Sequence, residues 1–312
     1  MSKKVEYLRF SIIITAYNRK KYVLQAIKSV PKEAEIVLVN NFSYTNLDEN
    51  NNIKVINLDN NIRNIGEFMA KGVENSSGDV ICFLDDDDMF TEDKLSIISK
   101  YFSNNDIVMT YNSRILIDEK GNIIGEEVLP TKTIKPDLYG TKYLFLNRIF
   151  FNSSSMCIRR DLLEDKVVIM PKIIRLMDNF ILLSAIESQG YIQILSDKLT
   201  YYRVHPSSSR PIYDNYHKFL EDRKKYFEDA IEDNDNMLRI FSREETRYAI
   251  ECSKKMAFIQ KKFFSIERNT TIINCKIFNF KTLMFINILS LISILFPSLP
   301  SKIYFRKYRN AH

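Results

Sequence analysis

A chain of 312 residues with 45% hydrophobic and 12% aromatic side chains has ample material for one large or two modest cores, which excludes disorder over most of its length. Its formal charge of +6 is mild and comes with no long basic run, which argues against a nucleic-acid binder. Seven glycines, with no Gly-x-Gly-x-x-Gly and no Walker-type loop, argue against dinucleotide-binding and P-loop folds.

Met1 to Glu6 lacks the apolar core of a signal peptide, so no secretory signal is expected. Phe10 to Thr15 is a β-branched apolar run, hence a buried strand, broken at Ala16-Tyr17-Asn18-Arg19. Val23, Ala26, Ile27 and Val30 recur at helical spacing, and Pro31 stops that helix. Glu35 to Val39 is a second buried strand ending in Asn40-Asn41, and Ile53 to Ile56 is a third after an Asn-rich loop. Asn64-Ile65-Gly66 opens a helix through Val73. Val80 to Leu84 is the next strand. Thr91 is expected to cap a helix through Tyr101, with Glu92 and Asp93 in its first turn.

Strands alternating with helices over the first hundred residues predict an α/β domain with a mostly parallel sheet, its functional loops at the carboxyl ends of the strands. Tyr17-Asn18, Asn40-Asn41 and Asp85 to Asp88 all fall at such ends. A strand at Ile107 to Tyr111 follows, then a hairpin turning at Glu119-Lys120-Gly121-Asn122. A helix after Pro136-Asp137 runs to about Arg148, and Ser153 to Ile158 is extended. Leu176 to Gln189 is a helix that Gly190 should end with a positive φ. Tyr191 to Val204 is strand-like, and His205 to Ser209 is a loop. Tyr213 to about Glu267, charged and free of Gly and Pro, reads as two helices. Cys82, Cys157, Cys252 and Cys275 show no paired spacing, which predicts neither a zinc motif nor a disulfide framework and fits a reducing compartment.

The most unusual stretch is Ile81 to Asp88, an apolar run ending in four consecutive aspartates. Four adjacent carboxylates repel, and they are costly where water is scarce. Two readings stand: a cation site at a strand end, or a solvated acidic turn.

Phe10 to Arg19 resembles the opening strand and loop of the family 2 glycosyltransferases. Asn64-Ile65-Gly66 followed by Lys71 is similar to that family's Asn-x-Gly…Arg segment, and Gly78 to Asp88 resembles its Gly-Glu-x-Ile-x-Phe-Leu-Asp-x-Asp-Asp block. Met177-Asp178 with Gly190 resembles its Glu-Asp…Gly helix, and Tyr202-Arg203-Val204-His205-Pro206 its Tyr-Arg-x-His motif. Five short motifs in the right order span about residues 9 to 210.

The resemblance implies a GT-A fold (an α/β, Rossmann-like, mostly parallel sheet flanked by helices), a nucleoside-diphosphate sugar donor, and Mg²⁺ or Mn²⁺. Those cations take oxygen ligands from one or two carboxylates plus phosphate. On this reading Asp87 is the principal metal ligand and Asp85 contacts ribose or sugar, with Asp86 and Asp88 in support. Asp178 is the general base that takes the acceptor proton during inverting transfer. His205 contacts metal or diphosphate, against the alternative of a structural histidine. Thr15, Tyr17, Asn41, Lys71 and Asp86 join Asp85 in binding the donor. Lys71 stands where the family more often has Arg, and its alternative is a surface helix lysine. Asn41 stands where many members carry Asp, Met177 where they carry Glu, and Asp178 has the alternative of a helix cap.

Three segments are expected: 1–210 for donor binding and catalysis, 211–275 for a helical extension, and 276–312 for an apolar and basic tail. In the tail, Leu283 to Leu299 is apolar and followed by Lys302, Arg306, Lys307 and Arg309 among aromatics. It reads as an interfacial or re-entrant helix, with a core or dimer helix as the alternative. The implied acceptor is a glycan or lipid-linked hydroxyl. The expected location is cytoplasmic, peripheral on the inner face of the membrane. Two rivals remain: a nucleotidyltransferase, disfavoured because its Gly-rich loop is missing, and a non-catalytic nucleotide- or cation-binding module, which would not need Asp178.

Overall fold

A computed structural model of the chain describes residues 8–42, 52–62, 64–205, 213 and 215–309. The chain forms two compact units: Met1–Asp137, Phe150–Ile173 and Met177–Val204 make the first, and Leu138–Ile149, Ile174–Leu176 and His205–His312 the second.

In the first unit β1 (Phe10–Ala16), β2 (Glu35–Asn40), β3 (Ile53–Asn57) and β4 (Val80–Asp85) pair in parallel in the order β3-β2-β1-β4. The crossovers carry α1 (Val23–Lys28) and α2 (Ile65–Glu74). Every residue of β1 is buried, as expected of a central parallel strand. The chain then runs through β5 (Met89–Phe90), α3 (Lys94–Phe102), β6 (Ile107–Ile117), β7 (Ile123–Glu127) and β8 (Lys132–Ile134). After a segment belonging to the second unit come β9 (Met156–Arg159), a short α5 (Asp161–Glu164), α6 (Met177–Glu187) and β10 (Tyr191–Arg203). Beyond β4 the sheet continues β9-β6-β10-β5, with β7 on β6 and β8 on β10.

β9 is antiparallel to both β4 and β6, and β10 is parallel to β6. The six main strands therefore share one direction, and their carboxyl ends form one edge. Because β2 and β4 flank β1 on opposite sides, the strand order reverses there, and ligands of open α/β sheets bind at such a switch point. Thr15 is the register partner of Asp85 at that place.

Several expectations are corrected. Cys82 and Cys157 are register partners across β4 and β9 and are joined as a disulfide, as are Cys252 and Cys275. Separations of 75 and 23 residues are closed by tertiary pairing, which spacing along the chain does not display. The argument from cysteine spacing to a reducing compartment falls with them. The cap of α3 is Asp93 rather than Thr91, whose hydroxyl bonds Asp93 Oδ1 at 2.7 Å. Ser153–Ser155 is a turn of 3-10 helix, and only then does the chain extend. Gln189, at φ 68°, takes the left-handed position expected of Gly190. Gly190 is needed for room, since a Cβ there would lie 2.1 Å from Val108 Cγ1. The expectations for Met1 to Glu6, the Asn-rich loop at 43–51 and the loop after His205 fall outside the described residues.

The second unit holds α4 (Leu138–Leu146), α7 (Tyr216–Leu238), α8 (Glu244–Phe264), α9 (Phe280–Leu295) and α10 (Leu299–Arg309). Asp233, fully buried on α7, accepts the backbone N–H groups of Ile174, Arg175 and Leu176 at 2.7–2.9 Å. Phe219, Phe264, Phe305 and Tyr308 form an aromatic cluster. A break at Pro297 separates α9 from α10. Among the described residues no helix is long and apolar enough to cross a membrane.

Candidate active site

The acidic run is the turn between β4 and β5. Asp88 N–H returns to Asp85 C=O at 3.2 Å, and β5 is pinned by pairing with Thr200 and Tyr201 of β10. It is not a solvated turn: Asp86 and Asp88 are 1% exposed and Asp87 8%. Arg203 of β10 closes the turn from behind, its N–H on Asp88 Oδ1 at 2.9 Å and its Nε on the Asp87 carbonyl at 2.8 Å.

The four carboxylates have different surroundings. Oxygens of Asp85, Asp87 and Asp88 all lie within 4.8 Å of one another. Asp86 is turned to Arg19, which gives it both Nε and an Nη and also places Nη1 2.7 Å from Asp87 Oδ2. Burial lifts Asp85 to about 6, helped by the charge of Asp87. Burial also lifts Asp86 to about 7, despite Arg19. Asp88 is held well above the usual carboxylate range by burial and by the charges of Asp85 and Asp87. Its buried Oδ2 makes no hydrogen bond of ordinary geometry.

This donor set fits a hard divalent cation: three clustered carboxylates, with protonation favoured in the absence of a counter-charge. Mg²⁺ or Mn²⁺ would be held by Asp85, Asp87 and Asp88. The carboxylates that could hold a cation are therefore more than Asp87 alone, and Asp86 faces a guanidinium instead.

One turn ties this cluster to Asp178. Asn152 N–H donates to Asp178 Oδ2 at 3.2 Å, Ser153 Oγ donates to Asp85 Oδ1 at 3.1 Å, and Ser154 Oγ accepts Asp85 N–H at 3.0 Å. Three consecutive residues thus hold both aspartates, Asn152 and Ser153 by their carboxylates and Ser154 by the Asp85 backbone. Asp178, half-buried in the first turn of α6, is pushed up to about 7 by burial first and the charge of Asp85 second; Asn152 and Arg114 pull the other way.

Two buried cations stand nearby. Lys94 is fully buried, with Nζ on the Ser154 carbonyl at 2.7 Å and on Thr200 Oγ1 at 3.0 Å, 3.9 Å from the Phe90 ring centroid. Burial holds its pKa well below normal, against the pull of Asp88. Arg114 packs against the rings of Phe151 and Tyr202 and bonds the Phe151 carbonyl at 3.2 Å. Arg19, Lys94, Arg114 and the Asn152–Ser154 turn were not singled out from sequence. Arg19 had a signal, a cation two residues after Tyr17 at a strand end. The others had none, because they are placed by partners as far as 106 residues away in the chain.

Of the remaining expected residues, Asn41 is buried and exchanges two hydrogen bonds of 2.9 Å with Asn18, which sits at φ 54°. Asn41 thereby holds the loop of Tyr17. Tyr17 meets Phe68 edge-on at 6.0 Å. Lys71 lies on α2 with its ammonium on Glu74 at 2.8 Å, the surface arrangement that was its alternative. Asn64 caps α2 through Gly66 N–H, and a Cβ on Gly66 would lie 2.0 Å from the Met170 carbonyl, so this motif is a packing device here. His205 is buried and belongs to the second unit.

A mixed α/β sheet whose six main strands share one direction, with an acidic turn at its switch point and a carboxylate on the facing helix start, defines a GT-A fold. The family model described as Glycosyl transferase family 2 matches residues 11–166, half of the chain. The chain belongs to that family. It is 30% identical over 175 residues to an uncharacterized glycosyltransferase of Rickettsia felis, a match covering 48% of this chain and 29% of the relative. It is 27% identical over 214 residues to an uncharacterized glycosyltransferase of Nostoc sp., covering 65% of this chain and 66% of the relative. The chain thus spans less than a third of the length of the Rickettsia relatives it matches. Among solved structures, S. aureus TarS 1–349 in complex with UDP-GlcNAc superposes with a TM-score of 0.52 at 20% identity, over 84% of this chain and 74% of that one. That likeness supports the fold.

Proposed function

We propose that this chain moves a sugar, with inversion, from a nucleoside-diphosphate sugar to a hydroxyl acceptor, with Mg²⁺ or Mn²⁺ held at Asp85, Asp87 and Asp88. The observation that carries the reading is the Asn152–Ser153–Ser154 turn. It fastens a carboxylate of basic character, Asp178, to the same scaffold as the acidic cluster. The UDP-GlcNAc bound by a TarS structure of the same fold supports a nucleotide-sugar donor.

When bound, the divalent cation supplies Lewis-acid stabilisation of the leaving diphosphate. The protein's own residues do the rest. Asp178, lifted to about 7, is matched to taking a proton from an acceptor hydroxyl near neutral pH. Ser153 orients Asp85. Arg19, with its guanidinium nitrogens on Asp86 and Asp87, neutralises and orients those two carboxylates beside the donor site. Thr15 and Tyr17 line the strand end where the nucleotide sits, with Asn41 fixing their loop. Lys71, with its ammonium on Glu74, is not part of the site in this reading. The acceptor is a glycan or lipid-linked hydroxyl.

A thermal-shift panel of nucleoside diphosphates and nucleotide sugars, with and without Mn²⁺, tests the class. Metal-dependent stabilisation by one nucleotide series is expected. No shift with any of them would overturn the reading.

A further inference from the structure

We propose that α9 and α10 form a docking face for an anionic lipid surface, on which α9 lies flat. α9 carries apolar side chains on its exposed side as well as on its buried one. Ile286, Leu289, Ser290 and Ser293 are buried, while Phe280, Met284, Ile288, Leu291 and Leu295 are exposed. The exposed set recurs at intervals of 4, 4, 3 and 4 residues, which is one continuous helical face. Phe280 is 77% and Leu295 75% exposed, and the apolar surface continues into Phe296 and Leu299. A helix with apolar residues all round is normally buried or in lipid, and a contiguous exposed patch marks a contact surface.

Charge decides which surface. From Arg268 to His312 the chain carries seven Lys and Arg and no Asp or Glu. Two of these cations sit beside the apolar face. Lys281 is exposed on the first turn of α9, and Lys307 of α10 has its Nζ 5.9 Å from the centroid of Phe285. Tyr304 meets Phe285 edge-on at 6.0 Å, so α10 is fastened to α9 and presents Lys302, Arg306 and Lys307 in fixed places. A second copy docked on the same face would bring two such basic segments together without an acidic partner. Anionic headgroups complement them, while the acyl boundary accepts Ile288 and Leu291. The absence of any described helix long and apolar enough to span agrees with a helix lying in the interface plane.

The protein has no tryptophan, so Leu291→Trp provides a single reporter at an exposed position. The 312-residue chain is mixed with extruded vesicles of phosphatidylcholine alone or in equal parts with phosphatidylglycerol. Expected are co-sedimentation with the anionic vesicles only, loss at high salt, and a blue shift of the Leu291→Trp variant's indole emission, quenched by brominated acyl chains. Leu291→Glu with Leu295→Glu, and separately Lys302→Glu with Arg306→Glu, should each lower vesicle binding at least tenfold. All four positions are surface ones, and an unchanged circular-dichroism melt checks folding. No co-sedimentation, equal binding by the variants, or an unshifted indole emission would overturn the proposal. So would a dimer that Leu291→Glu dissociates. None of these readouts uses sugar transfer, so they stand or fall apart from it.

Discussion

Asn152 donates its backbone N–H to Asp178 Oδ2 at 3.2 Å from a backbone with φ of 79°, a left-handed conformation that Asn tolerates better than most side chains. Its own amide oxygen accepts Ser154 N–H at 3.0 Å and so builds the turn that also bonds Asp85. The position of the proposed base is therefore set by the same three residues that orient the acidic cluster.

Asp178→Asn should lower kcat by about 10²- to 10⁴-fold, the usual worth of a general base, and leave metal-dependent donor binding intact. Steady-state kinetics paired with calorimetry of the nucleoside diphosphate checks both halves. Full activity in the variant would sink the base assignment and favour a binding module.

With Asp178 at about 7, transfer should rise with pH through roughly that value, because the base acts when deprotonated. The Asp178→Asn variant should lack that limb. Stability runs the opposite way. Asp85, Asp86 and Asp178 have folded values above the ordinary 3.8, so their contribution is fully present below that pH and is lost as pH rises through about 6 to 7. Metal-free protein should therefore show a lower Tm at pH 8 than at pH 5.

Asp88→Asn removes one of three mutually repelling carboxylates. Without metal its Tm at pH 8 should equal or exceed that of the parent, whereas the stabilisation by Mn²⁺ should shrink. Thermal melts over a Mn²⁺ titration measure both, and an undiminished Mn²⁺ effect would remove Asp88 from the ligand set. EDTA should abolish transfer.

Lys94→Met would strip two buried hydrogen bonds and leave the Ser154 carbonyl without that donor. The cost should be about 1–3 kcal/mol, as for other buried polar groups that lose a partner, read from urea unfolding. A loss under ~1 kcal/mol would mean that the lysine is neutral and weakly held.

Asp233→Ala would leave the N–H groups of Ile174, Arg175 and Leu176 without their acceptor, at about 1–3 kcal/mol for each one that water does not reach. Hydrogen exchange should quicken at those three amides first. Unchanged exchange there would show that Asp233 does not hold the segment.

Much of this was legible in the residues. The β-branched runs at Phe10, Glu35 and Val80 became parallel strands, and the turn of the β6–β7 hairpin fell at Asp118–Asn122. Local pattern suffices there, because burial on both faces imposes a continuous apolar run and a hairpin needs only neighbours. The sheet edge also followed, since a parallel α/β sheet collects its loops at one end.

What stayed hidden depends on contacts between residues distant in sequence. Asp86 and Asp87 look alike in the chain, but Arg19 faces both and claims two oxygens of one. Cys82 meets Cys157 only because β9 runs back beside β4. Lys94 looks like any helix lysine until Ser154 and Thr200 enclose it. The sequence alone determined that four carboxylates end a core strand of a family 2 glycosyltransferase. The tertiary structure decided which three of them share a cation-sized space, because side-chain direction at a turn is settled by the strands and cations packed around it.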